Sequence, residues 1–154
     1  MKGMNKIKNR RKQIKLVIYD VEFEVTINTQ EVELYRKAAQ YVTNRYAAYY
    51  DHYRESKTDF EIGLFAMLDI VVTKCKSTEV FREDDKSPKV EISLEMLDYS
   101  IDVTIPQTSE EFYRSAAETV SQSYSDYYEH YKDEKDEHEI ILMTLLDLAL
   151  AEYE

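Results

Sequence analysis

Glycine and proline are almost missing from this 154-residue chain, with two of each; there is one cysteine, and tryptophan does not occur. With Gly3 and Gly63 as the two glycines, no Gly-rich phosphate loop of the P-loop or dinucleotide kind can be written. A lone Cys75 excludes a disulfide framework and a thiolate metal cluster, and fits a reducing cytoplasm. No run approaches the roughly 18 apolar residues of a membrane span, and Met1-Lys2-Gly3-Met4 is followed by basic and polar residues without the apolar stretch of an export signal. A soluble cytoplasmic protein without a membrane partner is expected. Positive charge is scarce outside a leader made of Lys2, Lys6, Lys8, Arg10, Arg11 and Lys12. Those six cations leave the body near −17 against a whole-chain −11. Such a body repels nucleic-acid phosphate, so no nucleic-acid partner is expected, and the leader reads as a solvated tail.

Tyrosine and repetition are what the chain has in excess. Tyr35-Arg36-Lys37-Ala38-Ala39 returns as Tyr113-Arg114-Ser115-Ala116-Ala117, and Tyr49-Tyr50-Asp51-His52-Tyr53 as Tyr127-Tyr128-Glu129-His130-Tyr131, both 78 positions on. At that offset residues 14–75 lie over 92–153 without a gap, with roughly a third of positions identical. Each unit of about 62 residues would bury too little surface alone. The two copies are therefore expected to pack on each other about a pseudo-twofold axis.

Within each copy the periodicity changes once. Ile14, Leu16 and Ile18 alternate with polar residues; Val21, Phe23, Val25 and Ile27 alternate in the opposite parity, which a two-residue loop at Tyr19-Asp20 requires. That loop pairs Ile18 with Val21, Leu16 with Phe23 and Ile14 with Val25. Copy two repeats the pattern around Leu97-Asp98. From about Gln30, Tyr35, Ala39, Val42, Tyr46, Tyr49 and Tyr53 make a helical stripe, matched by Tyr113, Ala117, Val120, Tyr124, Tyr127 and Tyr131. Thr108 with Glu111 has the form of a capping box for the second of these helices. A second helix in each copy opens with Thr58 and Glu61, or Asp136 and Glu139, again of capping-box form. Its stretches 62–68 and 140–146 are nearly all apolar. Ile62, Phe65, Leu68 and Asp69, with Ile140, Met143, Leu146 and Asp147, are thus the expected contact between the copies. The fold class is α+β: two tandem ββαα repeats forming an intramolecular pseudo-dimer, helices central and hairpins outside. The organisation read from the sequence is a basic tail over 1–13, a first repeat over 14–81, a linker over 82–88 and a second repeat over 89–154.

Chemistry-bearing residues are few. The tyrosine stripe suits packing, a large ring buried with its hydroxyl at the rim; Tyr41, Tyr50 and Tyr128 lie off the stripe and fit packing or partner contact equally. Asp69 and Asp147 recur inside the apolar helix, where an unpaired carboxylate would be costly. Arg36 and Arg114, or a tyrosine hydroxyl, are the candidate donors. A carboxylate pair acting as acid and base across the axis lacks any nucleophile nearby in sequence, so no enzyme is expected. His52, His130 and His138 occur without a His-x-x-x-His pair or an HExxH pattern, and neither metal nor cofactor is expected.

The order hairpin, long helix, short connector, apolar helix resembles the globular head of the ZapA family of bacterial cell-division proteins. Tyr35-Arg36-Lys37-Ala38-Ala39-Gln40-Tyr41-Val42 and Phe65-Ala66-Met67-Leu68-Asp69-Ile70 carry the resemblance. The alanine pairs Ala38-Ala39 and Ala116-Ala117 fit that family's first helix, and Met67-Leu68-Asp69 and Leu145-Leu146-Asp147 its second. The resemblance implies a non-enzymatic adaptor that associates with FtsZ filaments or with another ZapA-like protein, as a single-chain pseudo-dimer or a homodimer, at the division site. An acidic interaction or inhibitory module that keeps the fold without FtsZ binding is the alternative. Three departures stand out. The long coiled coil of the family has no counterpart after either copy; Asp20 and Asp98 stand in hairpin turns where the family has glycine; and the second strands carry Glu22 and Glu24, or Ser100 and Asp102, where the family presents cations. Arg54 and Lys132, at the end of the first helix, keep a positive charge in both copies and are the candidate partner contacts.

Overall fold

The computed structural model describes residues 10–76 and 86–151. The chain builds two hairpin-helix-helix units in succession. Strands β1 (Arg11–Ile18) and β2 (Val21–Asn28) lead through a 3-10 turn, Thr29–Glu31, into helix α1 (Val32–Tyr53) and then α2 (Asp59–Lys76). The second unit repeats this as β3 (Lys89–Met96), β4 (Tyr99–Pro106), a 3-10 turn at Gln107–Ser109, α3 (Glu110–Tyr131) and α4 (Glu137–Leu150). The strand β1 takes in Arg11, Lys12 and Gln13, whereas residues 1–9 of the basic leader and 82–85 of the linker lie outside the described residues.

The alternation of apolar residues sets both registers. Ile14 pairs with Val25, Leu16 with Phe23 and Ile18 with Val21; Ile92, Leu94 and Met96 pair with Val103, Ile101 and Tyr99. Each hairpin is a separate two-stranded sheet, so the two do not join. One face of each is buried, and the other carries Lys15, Val17, Glu22 and Glu24, or Glu91, Ser93, Glu95 and Asp102, toward solvent. Tyr19 and Leu97, first in their loops, both have φ of 56°, a conformation in which glycine costs least. The turn is held from behind instead. The Tyr19 amide donates to Thr43 Oγ1 (2.8 Å) and the Leu97 amide to Ser121 Oγ (3.2 Å), the same position of α1 and α3.

Ala38, Ala39, Val42 and Tyr46 are the buried stripe of α1, and Ala116, Ala117, Val120 and Tyr124 that of α3. The small alanines let each helix lie close on its own hairpin. Residues 58 and 136 open the second helices as reciprocal capping boxes. Thr58 Oγ1 accepts from the Glu61 amide while Glu61 accepts from the Thr58 amide, both at 3.2 Å, and Asp136 with Glu139 does the same. Thr108 does not cap α3. It falls inside the 3-10 turn that follows Pro106, and the helix starts behind Ser109, whose buried hydroxyl makes no cap bond. Helices α2 and α4 form the largest helix-to-helix contact, and α1 and α3 each touch both of them. This is one four-helix core flanked by two hairpins, with the copies packed as an intramolecular pseudo-dimer.

Candidate partner-binding surface

At the centre of the interface the two copies meet through equivalent residues that differ. Gly63 and Ile141 are 78 positions apart, and a Cβ placed on Gly63 would lie 2.7 Å from Ile141 Cγ2. Equivalent residues in contact define the pseudo-twofold axis, so the axis is occupied by a glycine from one copy and an isoleucine from the other. Around it Ile62, Leu68, Ile140 and Leu146 are buried. Phe65 and Met143 are partly buried, and Phe65 stacks on Tyr53 of its own copy with centroids 5.1 Å apart. Across the interface Lys74 Nζ donates to the Ala149 carbonyl at 2.6 Å, near the end of α4, where cations suit the helix dipole.

Two seams join the hairpin end of one copy to the start of the second helix of the other. In the first, His138 Nε2 lies 2.7 Å from Asp20 Oδ1, with its ring edge-on to Tyr19 (6.3 Å) and Tyr46 (6.0 Å). In the second, Phe60, the counterpart of His138, stacks on Tyr99 (5.2 Å) and meets Tyr124 edge-on (5.1 Å). Tyr46 and Tyr124 are thus packing residues. Tyr46 is 1 % exposed, and burial first, then nearby carboxylates, raises its hydroxyl pKa. The same causes hold Tyr124 up at about 12, burial first and Glu137 next. Off the stripe, Tyr41 lies beneath Arg45 (5.2 Å), Tyr50 joins the first seam, and Tyr128 stays 43 % exposed. His52 and His130 lie edge-on to Tyr53 and Tyr131, each at 4.5 Å.

The two recurring carboxylates have different surroundings. Asp69 Oδ2 accepts from Arg45 Nη1 at 2.7 Å, and Thr73 Oγ1 lies 3.4 Å from Oδ1. Arg36 and Arg114 are not the donors: they reach the hairpin carbonyls of Lys15 (3.5 Å) and Ser93 (3.2 Å). Arg45 sits one residue before the buried Tyr46, on the flank of α1 that faces α2. The tyrosine expectation fares better. Burial and then Asp69 push the Tyr49 hydroxyl up to about 12, and burial and then Asp147 raise Tyr127. Copy two has Ser123 where copy one has Arg45, and Asp147 is exposed, without a cation in ion-pair range among the described residues. It lines a cavity of about 280 Å³ between the copies that does not contain Asp69, so the two carboxylates do not share a cleft.

Arg54 and Lys132 occupy the first turn after α1 and α3, where their amides close onto the Tyr50 and Tyr128 carbonyls (2.9 Å each). Both are exposed. Lys132 is paired with Glu129 at 3.2 Å and leans over the Tyr128 ring at 5.9 Å, and its pKa is raised by that carboxylate. The Arg54 guanidinium has no partner among the described residues. Sequence reasoning missed Arg45, His138, Phe60 and the Gly63/Ile141 contact; the 78-residue offset flags each of them as a position where the copies disagree.

Two hairpin-helix-helix repeats sharing one helical core define a duplicated two-unit α+β fold. A family model described as Cell division protein ZapA matches residues 14–92 and again 92–153, and the chain belongs to that family. No curated protein and no solved structure matches it. Among the described residues, no helix is long and apolar enough to cross a membrane.

Proposed function

We propose that the chain is a non-enzymatic cytoplasmic adaptor: a pair of ZapA heads in one polypeptide that associates with FtsZ filaments or another division protein. The observation that carries this is that both repeats match the family and pack through α2 and α4 as one pseudo-dimer. Among the described residues the second helices end at Lys76 and Leu150. α4 stops at Leu150 where Ala151 takes an extended backbone, and β3 starts 13 positions after the last residue of α2. Cross-linking filaments requires binding surfaces held at two separated ends, so this head pair would decorate filaments more than bundle them. Arg54 and Lys132 are the proposed contacts, with Arg54 the stronger because Lys132 is already paired.

Co-sedimentation with polymerised FtsZ, read together with light scattering, tests the proposal. The expected result is binding with little added scattering, weakened by Arg54→Glu with Lys132→Glu and more by the first change than by the second. Strong bundling by a species shown to be monomeric would overturn the single-ended arrangement. Absence of co-sedimentation at low salt would favour the second reading, an acidic interaction or inhibitory module. The exposed Glu22, Glu24 and Asp102 on the outer strand faces, where cations would be wanted, support that alternative.

A further inference from the structure

The cavity at Asp147 has a partner for comparison inside the same molecule. Its walls come from both copies: Phe23 of β2 and Tyr35 of α1 on one side, Tyr127 and Tyr131 of α3 with Leu146 and Asp147 of α4 on the other. At about 280 Å³ it falls just below the roughly 300–1,000 Å³ of sites that take whole small molecules, a size suited to one side chain. In copy one the equivalent carboxylate, Asp69, faces the equivalent hydroxyl, Tyr49, and already holds a guanidinium: Arg45 Nη1 at 2.7 Å, the group lying over the Tyr41 ring at 5.2 Å. Copy two keeps the carboxylate and the tyrosine but has Ser123 for Arg45, Thr119 for Tyr41 and Ala151 for Thr73. The neighbouring space differs too. Phe65, which stacks on Tyr53 in copy one, is replaced by Met143 beside Tyr131. Glu24 and Lys135 also line the cavity; Lys135 lies 3.9 Å from Glu139 and 5.7 Å from the Phe23 ring, and it makes no ion pair with Asp147.

We propose that this cavity is a receptor for an arginine side chain of a partner protein, its guanidinium on the Asp147 carboxylate and its stem and plane against Leu146 and the tyrosine rings. Arginine fits better than lysine because its planar fork bonds a carboxylate through two parallel N–H groups and stacks on aromatic rings, while an ammonium is a more strongly hydrated point charge. The net charge of −11 adds long-range attraction for any cation. The assignment holds whichever division protein is bound, and it is tested without FtsZ.

The test titrates the full chain with N-acetyl-arginine methylamide, followed by amide chemical shifts, with the lysine and the neutral citrulline analogues as controls. Saturable binding near the millimolar range is expected, centred on Tyr127, Tyr131 and Asp147, with the lysine analogue weaker and citrulline silent. Asp147→Asn should weaken it by about tenfold or more. Ser123→Arg should weaken it strongly by pairing with Asp147 from within, as Arg45 pairs with Asp69 in copy one, and thermal melts at least as high as wild type would show that this variant stays folded. Unchanged binding in Asp147→Asn, or no saturable shift up to ~10 mM probe, would overturn the proposal. So would tighter binding after Lys2→Gln, Lys6→Gln and Lys8→Gln together, since that result would make the chain's own leader the occupant.

Discussion

Copy one and copy two run through the same elements in the same registers, yet where each faces the other they carry different chemistry. Gly63 opposes Ile141 on the axis, Phe60 fills one seam while His138 bonded to Asp20 fills the other, and Arg45 neutralises Asp69 while Ser123 leaves Asp147 unpaired. A homodimer of identical chains cannot make these choices, because a residue on its axis meets itself and every other contact across it is made twice by the same pair of residues. Two isoleucines at the axis would overlap, and two glycines would leave a gap. Duplication in one chain removes the constraint, letting one copy supply the knob and the other the hole, and letting one carboxylate become structural while the other is left open. The pseudo-dimer is thus a heterodimer in chemistry while it remains a twofold in fold.

The comparison breaks down at the tyrosines, which both copies bury alike. Tyr49 and Tyr124 are held up at about 12, and Tyr46 and Tyr127 are raised as well, all chiefly by burial. Their unfolded-state pKa of about 10 lies lower, so above it the unfolded chain has lost protons that the folded chain retains, and stability falls as pH rises. The contribution is complete below pH ~10 and falls as pH rises from about 10 through 12, the share of Tyr46 and Tyr127 persisting longest. Cooperative alkaline unfolding in that window is the largest effect expected. Absorbance at 295 nm should show these four of the 14 tyrosines ionising together with the loss of helical circular dichroism. Ionisation of Tyr46 and Tyr49 ahead of Tyr124 and Tyr127, or the reverse, would mean that one copy opens before the other.

A sharper test of the knob and hole is Gly63→Ile. Its Cβ would fall 2.7 Å from a branched methyl in the middle of the core, and overpacking there is expected to cost about 3 kcal/mol in denaturant melts. Gly63→Ile combined with Ile141→Gly exchanges the roles of the copies and should return to within about 1 kcal/mol of wild type. If the exchange fails to rescue, the two helices are not equivalent around the axis.

Elements were legible in the sequence to the extent that one copy suffices to specify them. The parity switch at Tyr19-Asp20 set the hairpin register, and the stripe through Tyr35 and Tyr46 set the helix face, because both are local periodicities. The start of α3 was not legible. Pro106, with φ of −58°, passes into a 3-10 turn that displaces the helix beyond Thr108, and capping-box spacing cannot register such an insertion. The donor to Asp69 was missed because α1 and α2 cross at an angle that periodicity does not contain, which brings Arg45 and not Arg36 to the carboxylate. The seams at Phe60 and His138 depend on the placement of one copy against the other, and no single-copy pattern encodes that.

Smaller effects separate the two carboxylates. Asp69→Asn removes the charge from the pair with Arg45, whose side chain is 38 % exposed, so solvent screening limits the expected loss to about 1 kcal/mol. Asp147→Asn should cost less than Asp69→Asn, since no cation among the described residues pairs with it and an amide oxygen can still accept from the neighbouring Tyr127 hydroxyl. Equal losses at both would show that Asp147 has a cationic partner in solution and would close the cavity as a receptor.

The smallest contrast concerns helix starts. Thr58→Ala and Asp136→Ala each break a reciprocal box in which two amides at the helix end are satisfied, and each should cost about 1 kcal/mol. Thr108→Ala removes a residue of the same apparent pattern that makes no such bond; its amide meets Ser87 Oγ at 3.4 Å, and the substitution leaves that contact in place. A loss under ~0.5 kcal/mol is therefore expected at Thr108. Chemical denaturation of the three variants decides the matter. A cost at Thr108 equal to that at Thr58 would mean that α3 begins a turn earlier in solution, with the 3-10 turn absorbed into it.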